Sequence, residues 1–274
     1  QPYLPNTHTA HAEEAAKLRA PRTQWARLMK HRLGAQHDNS WRMRFHTQTA
    51  GSTLTAQQPM NNVERTAYQA LAAVLGGTQS LHTNSFDEAL GLPTDESVMI
   101  ALRTQQILGY ESGVPGVVDP LAGSYFVESL TDAIESEALA LIERIDELGG
   151  AVGAIESGFQ QREIEEAAYR HARQVDAKEA VVVGVNRFTV EDEDEPEVMV
   201  IDPELEAHQV AELANRRARR EAAAVDAALV AITDTARGTD NLMYPLKEAL
   251  VAGASIGDVT RALLPVFGRY RPTF

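Results

Sequence analysis

Residues 42–88, RMRFHTQTAGSTLTAQQPMNNVERTAYQALAAVLGGTQSLHTNSFDE, decide the fold. They read as strand, polar loop, helix, second strand, second polar loop. In residues 42–49 Met43, Phe45 and Thr47 fall on one face, and Arg44, His46 and Gln48 on the other. A helix over Asn62–Leu75 follows, with Val63, Ala67, Leu71 and Val74 at helical spacing. Gly76 and Gly77 stop it, and TQSLHTN opens the second strand. This is a βαβ unit, whose strands run parallel. Parallel sheets place ligands beyond the C-terminal ends of their strands, where polar side chains are expected to gather.

Outward from this stretch, residues 1–10 (QPYLPNTHTA) show little periodicity and read as irregular. Residues 11–30 form a helix that Pro21 is expected to bend or restart. After the second strand, Thr94 or Asp95 caps a helix running to about Gly109, with Met99, Leu102, Gln106 and Ile107 on its buried side. ESGVPGVVDPLAGSY is too rich in Gly and Pro for an element; a loop this long is usually functional or wraps a neighbour. Helices are expected over 131–148, with Ile134, Ala138, Leu141, Ile145 and Leu148 on one face, then near 151–157 and over 160–174. AVVVGVN (180–186) reads as a buried strand and VMVI (198–201) as a second, with EDEDE a solvated acidic turn between them. Asp202-Pro203 starts a long helical region, and two helices, 242–252 and 256–267, close the chain. Ser255 and Asp258 make a capping-box-like start to the last. The basic run RRARR (216–220) reads as an exposed helix face paired with Glu212 and Glu221.

The 274 residues suffice for one large domain or two modest ones. A net charge of −14 argues against nucleic acid or an anionic membrane as partner. No apolar run approaches a membrane span, and no secretory signal opens the chain. The absence of cysteine excludes disulfides and thiolate metal sites. Cytoplasm is the favoured compartment. The chain opens on Gln1 and enters a helix almost at once, so a piece of something longer is expected.

His46 and Gln48 share a strand face, and Gln79, His82 and Asn84 form a second polar group followed by Asp87 and Glu88. A His beside a Gln suits a neutral hydrogen-bonding site; a solvated polar row is the plainer alternative. A carboxylate in the second group suits sugar hydroxyls, and suits backbone capping equally well. His46 and His82 invite zinc or iron, as in a metal hydrolase, but nothing in their spacing is specific for a metal. No phosphate-binding loop and no GxSxG motif is present. From the residues alone, this is an α/β ligand site of open chemistry.

RFHTQTAGSTLTAQQPMNNVERTAYQALAAVLGGTQSLHTNSFDEALGLPTD closely resembles the large subunit of adenosylcobalamin-dependent acyl-CoA mutases, the methylmalonyl-CoA mutase family. The likeness continues through YESGVPGVVDPLAGSYFVESLT, EIEEAAYRHAR, VVVGVN and ASIGDVTRALLPVFGRY, covering nearly everything from Glu13 onward. It implies an α/β fold in two parts. Residues 1–110 would be the C-terminal portion of a TIM barrel, its last two βα units; residues 111–274 would be a mainly helical wrapping segment with a small strand pair. The family's H-x-Q falls on His46 and Gln48, at the reaction cavity. Gln79, Ser80 and Asn84 map onto corrin or adenosyl contacts, Glu88 onto a carboxylate for the adenosyl ribose, and Leu92 onto the same turn.

The implied reaction is a radical 1,2-rearrangement of a branched acyl-CoA, of the methylmalonyl-CoA/succinyl-CoA type. The cofactor's D-x-H-x-x-G cobalt-ligand motif is missing from the sequence, so another domain or a cobalamin-binding small subunit must supply the ligand. The first six barrel strands are absent or reduced to a scrap at residues 1–10, and the missing N-terminal barrel portion is therefore a required partner. The isolated chain is expected to be inactive. A non-catalytic subunit-interaction fragment of the same family is the alternative.

Overall fold

The computed structural model describes residues 4–191 and 198–271. The chain forms two compact units, one ending at Met199 and one beginning at Val200.

In the first unit three short strands form a parallel sheet in the order β1-β2-β3: β1 (Asn6–Thr7), β2 (His46–Thr49) and β3 (Ser80–His82). Each is followed by a helix: α1 (His11–Arg27) after β1, one-turn α2 (Asp38–Trp41) before β2, α3 (Asn62–Leu75) after β2, and α4 (Asp95–Tyr110) after β3. Residues 1–10 are thus not wholly irregular. Thr7 is fully buried, Gln48 N–H donates to Pro5 O, and Ala50 N–H donates to Thr7 O. The sheet has three βα units where two were expected.

The alternation on β2 holds. Phe45, Thr47 and Thr49 are buried, and Phe45 packs with Leu18 of α1 and Ala73 of α3. Burying Leu18 completely contributes roughly 2 kcal/mol. The strand itself is shorter than 42–49, because regular pairing begins only at His46. α1 runs through Pro21 without interruption and passes into a π-turn over Leu28–Arg32. α3 ends where the glycine pair predicts: Gly77 takes φ +81°, and a Cβ there would lie 2.6 Å from the Arg22 guanidinium.

The remaining helices of this unit are α5 (Tyr125–Glu147), α6 (Gly150–Glu156) and α7 (Phe159–Asp176). α5 starts six residues before the expected 131, so YFVES belongs to the helix and not to the preceding loop. Its seam with α1 is polar. Arg19 donates to Asp119, Glu128 and Thr131, and Gln24 donates to Glu135 O. The long loop therefore wraps α1.

Two expected strands are not strands. Residues 180–186 form a tight turn: Gly184 N–H donates to Arg187 O, and Asn186 accepts from Val182 N–H while donating to Val175 O and Ala180 O. Val181, Val183 and Val185 stay about two-fifths exposed, so no sheet buries them. In 198–201 only Met199 pairs, in a single antiparallel bridge with Leu92. The expected acidic turn lies, beyond Glu191, outside the described residues. On α4 the buried side chains are Ser97, Ala101 and Thr104, whereas Met99, Leu102 and Ile107 are about half exposed, contrary to the periodicity.

The second unit is helical: α8 (Pro203–Arg219), α9 (Ala222–Ala236), α10 (Met243–Val251) and α11 (Ile256–Phe267). Its core joins Val225, Ile232, Ala249 and Ala254. Asp258 closes the capping box with Ser255. It also pairs with Arg217, Arg220 and Arg261, so two arginines of the basic run meet a carboxylate there, and among the described residues none pairs with Glu212 or Glu221.

Candidate functional site

The sheet sends Phe45, Thr47 and Thr49 toward the helices, which leaves a polar opposite face. Register sets His46 beside Ser80, and Gln48 between Asn6 and His82. His46 Nδ1 and Ser80 Oγ are 2.7 Å apart, while Gln48, Ser80 and His82 are exposed. The polar residues do not all gather beyond the C-terminal strand ends. His46, Gln79 and Ser80 stand at the starts of β2 and β3; Gln48 and His82 pair near the C-terminal ends of those strands, and Asn84 and Glu88 follow β3. From position 79 to 84 an extended chain covers about 16 Å.

Gln79 serves the backbone. Its Oε1 accepts from Phe45 N–H at 2.8 Å and its Nε2 donates to Gly77 O at 2.7 Å, which fixes the start of β3 against β2. Leu92 is half exposed and its main chain bridges to Met199.

The rim is built differently. Thr49 Oγ1 donates to Asn84 Oδ1 at 2.6 Å and accepts from Asn84 N–H at 2.9 Å. Asn84 is 2% exposed, yet its Nδ2 is buried with no hydrogen-bond partner among the described residues. A buried donor left unpaired costs about 1–3 kcal/mol, which makes Asn84 a candidate to receive an added partner; Thr7 Oγ1, Thr66 Oγ1 and Asp87 Oδ1 are unpaired in the same way among the described residues. Gly51 lies directly against it: a Cβ there would sit 3.0 Å from Asn84 Nδ2 and 3.2 Å from Glu88 Oε1. Glycine leaves a cradle in which a donor amide and an exposed carboxylate stand side by side, suited to an ether or hydroxyl oxygen and to hydroxyl hydrogens. Asp87, in the same loop, accepts from Thr94 N–H and ties the loop to the start of α4. A cleft of about 320 Å³ adjoins Glu88, with His82 and Ser85 on one wall and Val98, Ala101 and Leu102 on the other.

Several site-building residues were not legible in the periodicity. α3 presents Asn62, Thr66, Gln69, Ala70 and Ala73 as its buried stripe, while Val63, Ala67, Leu71 and Val74 are only partly covered. Gln69 Oε1 accepts from Ala50 N–H, and its Nε2 donates to Thr53 and Thr9. Asn62 bonds to the backbone of Thr55 and Phe86. The signal was present: Asn62, Thr66 and Gln69 stand four and three residues apart. Among the described residues no group of three or more His, Asp or Glu side chains is placed to hold a metal ion, and no helix is long and apolar enough to cross a membrane.

The methylmalonyl-CoA mutase family model matches residues 3–269. The chain belongs to this family. It is 48% identical to a probable mitochondrial methylmalonyl-CoA mutase of Caenorhabditis elegans over 94% of its own length and 35% of the relative's. It is 49% identical to the methylmalonyl-CoA mutase of Escherichia coli, over 93% of this chain and 36% of that one. To the 2-hydroxyisobutanoyl-CoA mutase large subunit of Aquincola tertiaricarbonis it is 44% identical over 95% and 47%. The chain therefore spans between about a third and a half of these relatives.

Proposed function

We propose that the chain is the C-terminal barrel portion and following helical segment of an adenosylcobalamin-dependent acyl-CoA mutase, residues 1–110 belonging to the barrel and 111–274 wrapping it. It would contribute one side of the site for radical 1,2-rearrangement of a branched acyl-CoA. The observation that carries this reading is the orphaned Asn84 amide beside Glu88 over Gly51. The donor set fits the ribose of an adenosyl group: Glu88 accepts from hydroxyls, and Asn84 Nδ2 donates to an oxygen. When bound, adenosylcobalamin supplies the hydrogen-abstracting radical chemistry. The chain's own residues then bind, orient and keep water out. His46, Gln48 and Ser80, a row of hydrogen-bonders on the open sheet face, would hold substrate without supplying a strong acid or base.

Three parallel strands cannot close a barrel of eight. Among the described residues β1 and β3 each pair on one edge only, and Val98, Met99 and Leu102 of α4 are nearly half exposed. The remaining N-terminal barrel portion would cover them, and a cobalamin-binding domain or small subunit would supply the cobalt ligand. The alternative, a non-catalytic interaction fragment, draws on the exposed Val251, Ile256 and Phe267 of the helical unit.

The test is to assemble the chain with the remaining barrel, a cobalamin-binding subunit and adenosylcobalamin, and to assay isomerisation of methylmalonyl- and 2-hydroxyisobutanoyl-CoA. Turnover by the assembly but not by the chain alone supports the proposal. Full turnover with Glu88→Gln, at unchanged adenosylcobalamin affinity, would remove Glu88 from it.

A further inference from the structure

Resting on that reading of the rim, we infer that Asn62 and Arg65 are positioning residues: they fix the loop carrying Asn84 and Glu88, and so set the grip on the adenosyl group without touching it. Asn62, at the start of α3, has no exposed surface. Its amide is saturated. Oδ1 accepts from Thr55 N–H at 3.1 Å and Arg65 Nη1 at 2.8 Å, while Nδ2 donates to Thr55 O and Phe86 O, both at 2.8 Å. Phe86 lies midway between Asn84 and Glu88, so this one bond joins the loop after β2 to the loop after β3.

Arg65 decides which way that amide points. With a guanidinium and an N–H both aimed at one end, only Oδ1 can stand there, and Nδ2 is forced toward the two carbonyl oxygens. A flipped amide would set oxygen against oxygen at Phe86. Arg65 has no carboxylate partner among the described residues; its remaining contacts are Thr55 Oγ1 at 2.9 Å and Val183 O at 2.8 Å. Burial disfavours its charge, with Glu64 a partial offset. A cation held in this way on neutral oxygens serves geometry better than stability.

The contact to Val183 brings in the turn at 180–188. A second bond, Gln58 Nε2 to Phe188 O at 2.9 Å, holds the same turn. The sequence run VVVGVN is thus a latch whose carbonyl holds Arg65, which orients Asn62, which holds Phe86.

The experiment uses the assembled mutase and compares its affinities for adenosylcobalamin and hydroxocobalamin, which lacks the adenosyl group. Asn62→Asp keeps the volume but presents a carboxylate oxygen to Phe86 O. It should weaken adenosylcobalamin about tenfold and hydroxocobalamin no more than about twofold. Arg65→Lys, which loses the fork, should shift the ratio in the same direction by less. Hydrogen exchange on the chain without cofactor should show faster exchange at residues 85–88 in both variants.

Equal weakening of the two cobalamins, or an unchanged ratio with unchanged exchange, would overturn the inference. Glu88→Gln separates the two levels. If it alters the ratio and the Asn62 and Arg65 variants do not, the rim reading stands and this inference fails. If Glu88→Gln leaves the ratio untouched, the rim reading fails, and exchange at 85–88 alone decides whether Asn62 holds the loop.

Discussion

The sheet rim and the helical unit that begins at Val200 bury different sets of side chains. Around the rim apolar Ala50, Leu54 and Ala73 are buried beside a set of polar side chains, Thr47, Thr49, Asn62, Gln69 and Asn84, each of which makes hydrogen bonds. In the helical unit the buried groups are Val225, Ile232, Ala236, Ala249 and Ala254, and Asp258 is the single buried polar residue among those described. Apolar burial is non-directional, so it holds packed helices through volume and shape and not through bond angles. Hydrogen bonds weaken steeply with angle, so a rim made of them is held in one arrangement. The part proposed to present a donor and a carboxylate at fixed places uses the directional interaction.

The helical unit should accordingly respond most to volume. Ile232→Ala leaves a cavity among Val225, Ala249 and their neighbours and should cost about 2–5 kcal/mol, read by denaturant unfolding followed through helical circular dichroism. A loss well below that range would mean the helices collapse onto the gap, and the contrast with the rim would weaken. Asp258→Asn should come next, at about 1–3 kcal/mol, since it disturbs a cap and three arginines together.

That carboxylate also gives a pH signature. Donation from Ser255 N–H, and then the Arg220 guanidinium, hold its pKa well below the usual carboxylate range. A depressed folded-state pKa means the stabilisation is complete above the unfolded value, about 3.9, and is lost as pH falls below it. Unfolding measured between about pH 5 and 2 should show a steeper decline for the native chain than for Asp258→Asn. Parallel slopes would count against the cluster.

Legibility in the sequence follows the same division. Local signals read correctly: the glycine pair ending α3, the cap of α4 (Thr94 of the two candidates Thr94 and Asp95), and the Ser255–Asp258 box each depend on a few adjacent residues. Non-local ones did not. β1 is two residues long and exists only through its pairing with β2, so QPYLPNTHTA carries no period to find. VVVGVN has a strand's composition, but Gly184 at φ +83° and the Asn186 side chain close it into a turn. On α3 the helical spacing of Val63, Ala67, Leu71 and Val74 is legible, but the polar stripe beside them lies deeper. His46, Gln48, Asn84 and Glu88 were visible as residue types; that Gln79 is bound to backbone, and that Asn84 keeps a free donor, needed coordinates.

Two smaller substitutions sharpen the comparison at the rim itself. Gly51→Ala places a methyl 3.0 Å from Asn84 Nδ2 and 3.2 Å from Glu88. Glu88 is exposed and can swing aside, whereas Asn84 is buried and held by Thr49, so stability should fall by about 1 kcal/mol and adenosylcobalamin affinity about tenfold, or roughly 1.4 kcal/mol, in the assembled enzyme. An unaltered affinity would show that the cradle is not the contact surface.

Thr94→Ala gives the smallest effect and the cleanest control. The Thr94 hydroxyl caps α4 by accepting from Ser97 N–H, so its removal should cost about 1 kcal/mol in unfolding. The bond that ties the rim loop to this helix is donated by the Thr94 backbone N–H to Asp87, and alanine keeps it. Stability should therefore fall while the ratio of adenosylcobalamin to hydroxocobalamin affinity stays constant. If that ratio moved with so remote a loss, the rim would be responding to general softening, and its hydrogen bonds would not be the fixed frame that its contrast with the apolar helical unit requires.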